Sequence, residues 1–255
     1  EQGLSLEEPL VQTLVETGFT DPNRIFIQSF EISNLLDLRN NLLPEANLDN
    51  LKLVQLFGDT EGSFINEGGG GFSVPYDVVV NASLSDAEKA TIYGDLLPFL
   101  DFENPGYSNL ANAEAIAEIS SYADGLGPWK NNILLRESIE TPVDGNGDGE
   151  AEITTRLTGE VFPLIDFSHD AGLQVHPYTL RDEERFLTLN ANGTPQTTGE
   201  EFRQLIELGA DGFFTDFPET GRIVVEQFET AEEFANLRGS RGYEGMAFSP
   251  DRQTL

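Results

Sequence analysis

Two segments in the second half of the chain constrain its fold most strongly, because each passes from the end of a helix through glycine into a short apolar strand. They are residues 173–181 (LQVHPYTLR) and residues 209–221 (GADGFFTDFPETG), and each strand stops at polar side chains. This is the layout of adjacent strands in an α/β barrel, where residues at the carboxyl ends of the strands carry the chemistry. The two segments therefore predict neighbouring strands of a parallel sheet with functional residues at their ends.

Further strands are predicted upstream, at residues 25–30 (IFIQSF) and 52–57 (KLVQLF), with a short strand and loop at residues 123–129. Helical patterns lie between these strands, at intervals too long for β-hairpins. Such spacing indicates crossover connections and a parallel sheet. The strand candidates number about five, fewer than the eight that a closed barrel requires.

Capping boxes, glycine and proline predict where the intervening helices begin and end. Ser5, Ser85 and Thr198 are each followed three residues later by glutamate. Helices are predicted from these three residues, and at residues 35–44, 109–122 and 159–171, with Pro44 closing the second helix and Gly209 the last. Residues 68–71 are all glycine and predict a flexible loop, and residues 141–155 predict a polar insertion.

The shortfall of strands leads to an expectation about the chain itself. It begins with Glu1, and its only methionine is Met246. We therefore expect a piece of a longer protein whose missing strands precede Glu1. The predicted fold class is α/β, an incomplete (β/α)8 TIM barrel over residues 1–228.

The composition changes after this predicted domain. Residues 229–241 read as the end of a helix and a linker, and residues 242–255 contain an apolar strand followed by a Ser-Pro-Asp turn. A strand and turn of this kind are typical of a propeller blade, and the stretch resembles the opening of the phytase-like esterase domain, a β-propeller family. The alternative is a C-terminal hairpin of the barrel domain.

The formal net charge of −31 excludes several classes of partner. A surface so acidic repels nucleic acid and anionic lipid, so neither is expected as a partner. It also repels a phosphodiester, and an acidic protein that acts on phosphate needs a local metal ion or well-placed arginine. Adaptation for solubility or salt is an alternative cause of the charge.

The chain contains no cysteine, which excludes disulfides, thiolate metal sites and cysteine nucleophiles. No apolar run approaches membrane-spanning length, so membrane insertion is not expected.

The predicted insertion contains the strongest metal-binding motif, DGNGDGE at residues 144–150. Asp144, Asn146 and Asp148 occupy positions 1, 3 and 5 of an EF-hand-like loop, with glycine at position 6, and such a loop wraps Ca²⁺. Glu150 and Glu152 add two oxygen ligands at positions 7 and 9. Position 12 is threonine, where an EF-hand requires glutamate, so a glycine-rich polar turn without metal remains the alternative.

The segments IQSF, LVQL, VHPYT and FTDFP together resemble the C-terminal half of bacterial glycerophosphodiester phosphodiesterases, especially the exported type. The resemblance implies a TIM barrel and metal-assisted hydrolysis of glycerophosphodiesters with Ca²⁺ or Mg²⁺. It implies substrate contacts for five residues: Gln28, Phe30, Gln55, Tyr178 and Arg181. Core packing is the alternative for Phe30, and an ion pair with Asp182 or Glu183 is the alternative for Arg181.

The family's catalytic motifs, a His-Arg-Gly strand end, a Glu-x-Asp strand and a His-Asp pair, are expected upstream of this chain. His169-Asp170 matches the pair in letters, but it ends a predicted helix rather than a strand. His176 is expected to be a structural strand residue near the pocket. Asp216 is expected to fix a loop through backbone N–H groups.

The resemblance implies an enzyme that releases an alcohol and glycerol 3-phosphate, in the periplasm or outside the cell. This chain is expected to be an inactive part of that longer enzyme. A degenerate barrel that binds Ca²⁺ without catalysis is the main alternative. An unrelated barrel enzyme such as an aldolase needs a Schiff-base lysine at a strand end, and Lys52 lies at a strand start.

Overall fold

A computed structural model describes residues 5–61 and 73–229 of the chain. The strands are β1 (Phe26–Ser29), β2 (Lys52–Phe57), β3 (Gly125–Pro128), β4 (Leu134–Val143), β5 (Ile153–Val161) and β6 (Gln174–Val175). The helices are α1 (Glu7–Thr17), α2 (Ile32–Asp37), α3 (Leu43–Glu45), α4 (Tyr76–Val80), α5 (Asp86–Tyr93), α6 (Ala113–Ile119), α7 (Leu164–Asp170), α8 (Thr198–Glu207) and α9 (Pro218–Glu229).

The chain divides into two compact units. Of the described residues, the first unit contains 5–61, 73–127 and 167–173, and the second contains 128–166 and 174–229. The boundary falls within β3. Each unit is described below by itself.

The first unit is built around the neighbouring strands β1, β2 and β3, with β2 in the middle. β1 and β2 pair in parallel, with Phe26 opposite Lys52. Most of β2 is buried, because its apolar residues pack on both faces of the sheet. Asp124, just before β3, accepts a hydrogen bond from the N–H of Leu53 at 2.9 Å. Its Oδ2 also accepts a hydrogen bond from Nη2 of Arg39 at 2.5 Å. This fixes the register of β3 beside β2.

The second unit combines an antiparallel hairpin with parallel strand pairing. β4 and β5 form the hairpin, with Leu134 opposite Val161. The segment that continues β6 forms parallel bridges, Trp129 with Tyr178 and Leu180 with Thr215. The parallel, mixed α/β character predicted from the sequence is therefore confirmed.

The hairpin corrects two predictions. Strands separated by intervals too long for hairpins were expected throughout, and residues 159–171 were expected to be one helix. Instead, β5 extends to Val161 and α7 begins at Leu164. The sequence ITTRLTGEV is rich in β-branched residues, which favour a pleated strand over a helix.

The other helix boundaries follow the predicted signals only in part. The N-cap of α1 is Leu6 rather than the predicted Ser5, and α6 covers only Ala113–Ile119 of the helix predicted over residues 109–122. Ser85 caps α5 through a complete capping box with Glu88. α8 also has a capping box, but its N-cap is Thr197 with Glu200, one residue before the predicted pair. Pro44 does not stop the second helix, because proline is tolerated in the first turn of the following α3.

Several expectations fall on residues that the structure does not describe. The glycine run at residues 68–71, the linker at residues 230–241 and the propeller-like residues 242–255 all lie outside the described residues. Within the described residues, no helix is long and apolar enough to cross a membrane.

Candidate functional site

Arg181 lies at the end of the strand segment that follows β6, where its guanidinium group contacts two carboxylates. Its Nη2 and Nε lie 2.6 and 3.0 Å from the oxygens of Glu183, and its Nη1 lies 2.7 Å from Oδ2 of Asp216. The guanidinium carbon also lies 4.4 Å from the centre of the Phe186 ring. Arg181 is therefore held by two ion pairs and an aromatic face.

The two carboxylates dominate the electrostatics of this strand end. The hydrogen bond to Glu183 raises the pKa of Arg181, and the same bond lowers the pKa of Glu183. Arg185 also lies 4.8 Å from the centre of the Phe186 ring and helps to lower the pKa of Glu183, so two arginines and two carboxylates meet here. An anionic ligand at Arg181 therefore competes with Glu183 and Asp216 for the guanidinium group.

Asp216 was expected to fix a loop through backbone N–H groups, but the structure shows its carboxylate paired with Arg181. It belongs to the segment that pairs with Leu180, and its carboxylate binds Arg181. Thr215 fixes this segment, because its hydroxyl donates to the carbonyl of Leu180 at 2.8 Å. This pairing is an isolated bridge rather than the strand predicted within residues 209–221, and it brings Arg181 and Asp216 together. Tyr178 is partly exposed on the same segment as Arg181.

Gln55, predicted to contact substrate, is fully buried in the first unit, and its side-chain amide is saturated with hydrogen bonds. Its Nε2 donates to the carbonyls of Ser29 and Phe30 at 3.3 and 3.2 Å. Its Oε1 accepts from the hydroxyl of Tyr122 at 2.9 Å. Gln55 thus holds the carboxyl end of β1 in place.

Gln28 and Phe30, the other predicted contacts in the first unit, are exposed. Gln28 lies on the open face of β1, and Phe30 just after β1 is 37 % exposed. The ring of Phe30 meets that of Tyr107 edge-on at 6.3 Å. Both side chains are accessible to a ligand, which the predicted role requires.

Neither histidine occupies the end of a strand pair. His169 lies in the last turn of α7, where a positive charge is favoured by the helix dipole. The side chain of His176 is 1 % exposed. The structural roles predicted for His169 and His176 stay predictions.

Asp144, Asp148 and Glu184 form an acidic group that could hold a metal ion. One carboxylate oxygen from each lies within 4.8 Å of the others. Asp144 is fixed by N–H groups of Gly149 and Gly147, which donate to it at 2.9 and 2.6 Å and lower its pKa. Its carboxylate is therefore charged over a wide pH range.

The other predicted metal ligands are Asn146, Glu150 and Glu152. Asn146 points its amide at Asp148, with Oδ1 accepting from the N–H of Asp148 at 2.8 Å. Glu150 contributes its backbone N–H to Asp148 at 2.8 Å. The carboxylates of Glu150 and Glu152 do not belong to the acidic group. Glu184, which does, lies 36 residues after Asp148, and no loop motif could have identified it.

A buried ion-pair cluster lies within the second unit, and sequence reasoning missed it. The side chain of Glu201 on α8 is completely buried and contacts Lys130 at 2.7 Å and Arg136 at 2.5 Å. Lys130 also donates to the carbonyl of Phe186 at 3.1 Å. Burial lowers the pKa of Lys130 despite the opposing effect of Glu201.

A shallow groove of about 280 Å³ lies between the β4–β5 hairpin and α8. Its lining includes Leu134, Leu157 and Leu208, with Asn190 and Gln204 as polar groups. None of the predicted substrate residues lines it, so the groove does not identify the substrate site.

Comparison with known proteins identifies relatives of this chain. Residues 134–220 match the model of the glycerophosphoryl diester phosphodiesterase family. The chain is 31 % identical over 142 residues to glycerophosphodiester phosphodiesterase GDPD6 of Arabidopsis thaliana, covering 55 % of this chain and 32 % of the relative. It is 25 % identical over 227 residues to a glycerophosphodiester phosphodiesterase of Haemophilus influenzae, covering 87 % and 48 %.

The chain thus spans about half or less of the length of these curated relatives. Among solved structures, a candidate glycerophosphoryl diester phosphodiesterase from Silicibacter pomeroyi DSS-3 is 16 % identical, covering 87 % of this chain and 45 % of that chain. Its TM-score of 0.38 is too low to support an inference about the fold. The matched range 134–220 includes Tyr178, Arg181 and Asp216.

Proposed function

We propose that this chain is part of a glycerophosphodiester phosphodiesterase that hydrolyses glycerophosphodiesters to an alcohol and glycerol 3-phosphate. The observation that carries the proposal is the family match over residues 134–220, which includes the Arg181–Asp216 strand end. The names of the curated relatives support the same activity. Parallel pairing of successive strands supports an α/β barrel as the complete fold.

Substrate binding is assigned to the strand ends. The face of Tyr178 suits the CH surface of the glycerol group, and Arg181 suits the phosphate. Since Arg181 is held by Glu183 and Asp216, the arriving phosphate replaces one carboxylate, and the other keeps the guanidinium in position. In the first unit, the exposed Gln28 and Phe30 keep their assignment as substrate contacts, whereas Gln55 acts by holding the end of β1.

We assign acid–base catalysis to residues outside the part of the chain that the structure describes. Two-histidine proton transfer needs both imidazoles beside the phosphate, but His169 ends a helix and His176 is buried in a strand segment. A divalent ion would neutralise phosphate charge in this reaction. We therefore expect the chain alone to be inactive. We also propose that the complete enzyme acts in the periplasm or outside the cell, on phosphorus-containing nutrients.

A non-catalytic Ca²⁺-binding module is the second candidate function, because the structure contains the acidic group of Asp144, Asp148 and Glu184. The two functions are distinguished by assaying the longest natural form of the protein on glycerophosphocholine. The phosphodiesterase proposal requires release of glycerol 3-phosphate that stops when a chelator removes the metal. No release from folded, metal-loaded protein would favour the binding module.

Replacing Arg181 tests the substrate assignment within that longest form. Arg181→Ala should lower kcat/KM for glycerophosphocholine by about 10–100-fold, because a bidentate cation for the phosphate is lost. Arg181→Lys should recover only part of the loss, since lysine cannot reproduce the planar fork. Arg222→Ala is the matched control, because Arg222 also pairs with two carboxylates but lies on the surface of α9. If Arg181→Ala had the same kcat/KM as Arg222→Ala and the unaltered enzyme, Arg181 would not belong to the substrate site.

A further inference from the structure

We propose that Asp144, Asp148 and Glu184 bind a Ca²⁺ ion that fastens the loop of the β4–β5 hairpin to the turn after Arg181. In this site Glu184 supplies the distant carboxylate that the loop sequence itself lacks. The site is independent of the proposed catalysis and is tested without any activity measurement.

The spacing of the carboxylates fits a calcium ion. The three ligand oxygens lie within 4.8 Å of one another. Ca²⁺ binds oxygen at about 2.3–2.6 Å, so ligands on opposite sides of the ion are separated by up to about 5 Å. A single ion can therefore contact all three carboxylates.

The burial of Glu184 is the independent observation that points to a ligand. Glu184 is 5 % exposed, and its Oε2 is buried without a hydrogen-bond partner. Its Oε1 accepts from the backbone N–H of Asn146 at 3.1 Å and also from that of Gly145. A buried carboxylate with one oxygen unsatisfied is costly unless a cation or donor faces it.

The charge around Glu184 makes the need for a cation stronger. Two more carboxylates, Asp144 and Asp148, approach within 4.8 Å of it. Among the described residues, no lysine, arginine or histidine forms a salt bridge with any of the three. A divalent ion is the simplest group that offsets this repulsion.

The loop backbone is shaped for close approach to Glu184. At Gly145, an added Cβ would lie 2.7 Å from Oε1 of Glu184 and 2.8 Å from Cδ1 of Ile153. Only glycine therefore allows the loop to lie against the carboxylate. Gly147 and Gly149 have φ of +81° and +95°, which lets their N–H groups turn inward and fix Asp144.

The chemistry of the group favours Ca²⁺ over other ions. All three side-chain ligands are carboxylates, which excludes a soft metal preference, and the remaining positions are open to backbone carbonyls and water. Mg²⁺ requires a compact octahedron and holds its water tightly, whereas Ca²⁺ accepts irregular oxygen shells. We therefore expect Ca²⁺ to bind more tightly than Mg²⁺.

The ion would also support the strand end that carries Arg181. Glu184 begins the turn Glu184–Phe186, and the Phe186 ring lies against the guanidinium of Arg181. The carbonyl of Phe186 accepts a hydrogen bond from Lys130. Fixing Glu184 therefore restrains the residues that pack beneath Arg181.

Calorimetric titration with CaCl₂ and thermal unfolding with and without Ca²⁺ test the proposal on the chain as it exists. The unaltered chain should bind about one Ca²⁺ and should unfold at a higher temperature when Ca²⁺ is present. Glu184→Gln, which keeps the size of the side chain, should weaken Ca²⁺ binding by about 10-fold or more and remove the rise in Tm. Glu152→Gln should behave like the unaltered chain.

Comparing the stabilities of Glu184→Gln and the unaltered chain, with and without Ca²⁺, distinguishes metal ligation by Glu184 from a purely structural role. Without Ca²⁺, Glu184→Gln should be at least as stable as the unaltered chain, because it removes one of three clustered charges. With Ca²⁺, the unaltered chain should be the more stable. Calcium affinity that is unchanged by Glu184→Gln, or lost on Glu152→Gln, would overturn the proposal, as would absence of Ca²⁺ binding to the folded chain.

Discussion

Replacing Glu201 by glutamine is expected to lower the free energy of unfolding by about 3–5 kcal/mol, because it leaves two buried cations without their anion. Glu201 is completely buried between Lys130 and Arg136, whose side chains are 4 % and 7 % exposed. In the unaltered chain each carboxylate oxygen contacts one cation. Glutamine keeps the volume but has no charge and presents an N–H₂ group to one of them. Urea unfolding measures the loss.

The control for this prediction is Glu207→Gln on the same helix. Glu207 is exposed, so its loss should change the free energy of unfolding by less than about 0.5 kcal/mol. The role assigned to the cluster would be wrong if Glu201→Gln also cost less than about 1 kcal/mol with an unchanged urea dependence. Such a result would mean that the cations reach water or that Lys130 is already neutral.

Gln55→Leu is expected to lower the free energy of unfolding by about 2–4 kcal/mol, because buried polar groups lose their partners. The carbonyl of Ser29 loses its bond to Gln55, and the hydroxyl of Tyr122 loses its acceptor. The carbonyl of Phe30 keeps a second donor, the hydroxyl of Tyr107 at 3.1 Å. Leucine fills most of the volume, so the loss reports hydrogen bonding rather than a cavity.

Gln28→Leu is the matched control, since Gln28 lies on the exposed face of β1 and should tolerate the change. Comparing urea unfolding of the two variants also tests the role predicted for Gln55 from the sequence. If Gln55→Leu left stability unchanged and instead raised KM in the longest form of the enzyme, direct substrate contact would be favoured over support of β1.

The sequence predicted those elements whose signals are local. β2 was predicted with its observed bounds, because an apolar run between turn residues identifies a buried strand. α5 was predicted from a capping box that the structure contains in full. The helix end at Gly209 was also predicted correctly, and Gly209 has a positive φ of +102°, which glycine adopts readily.

The β4–β5 hairpin was missed because its evidence is not local. The strands are joined by a loop that resembles a metal-binding motif, and the spacing of the other predicted strands favoured crossover connections. The polar alternation along β4 is weak, since most of its residues are partly or fully exposed. Its identity as a strand depends on pairing with β5, which no single window of sequence reveals.

The candidate site was predictable only in part, for the same reason. Tyr178 and Arg181 could be placed at a strand end from one short segment. The partners of Arg181 could be anticipated only for Glu183, two residues away, whereas Asp216 is brought by strand pairing. Glu184 has no local sign of function, and the capping box predicted for Glu201 is made by Glu200 instead. Only the tertiary structure places these two glutamates against Asp148 and Lys130.

The most direct measurement of the central claim is phosphorus NMR of glycerophosphocholine incubated with the longest natural form of the protein and a divalent metal. The phosphodiesterase account predicts that the diester signal is replaced by that of glycerol 3-phosphate, and that a chelator prevents the change. Persistence of the diester, or formation of phosphocholine in place of glycerol 3-phosphate, by folded and metal-loaded protein would contradict it.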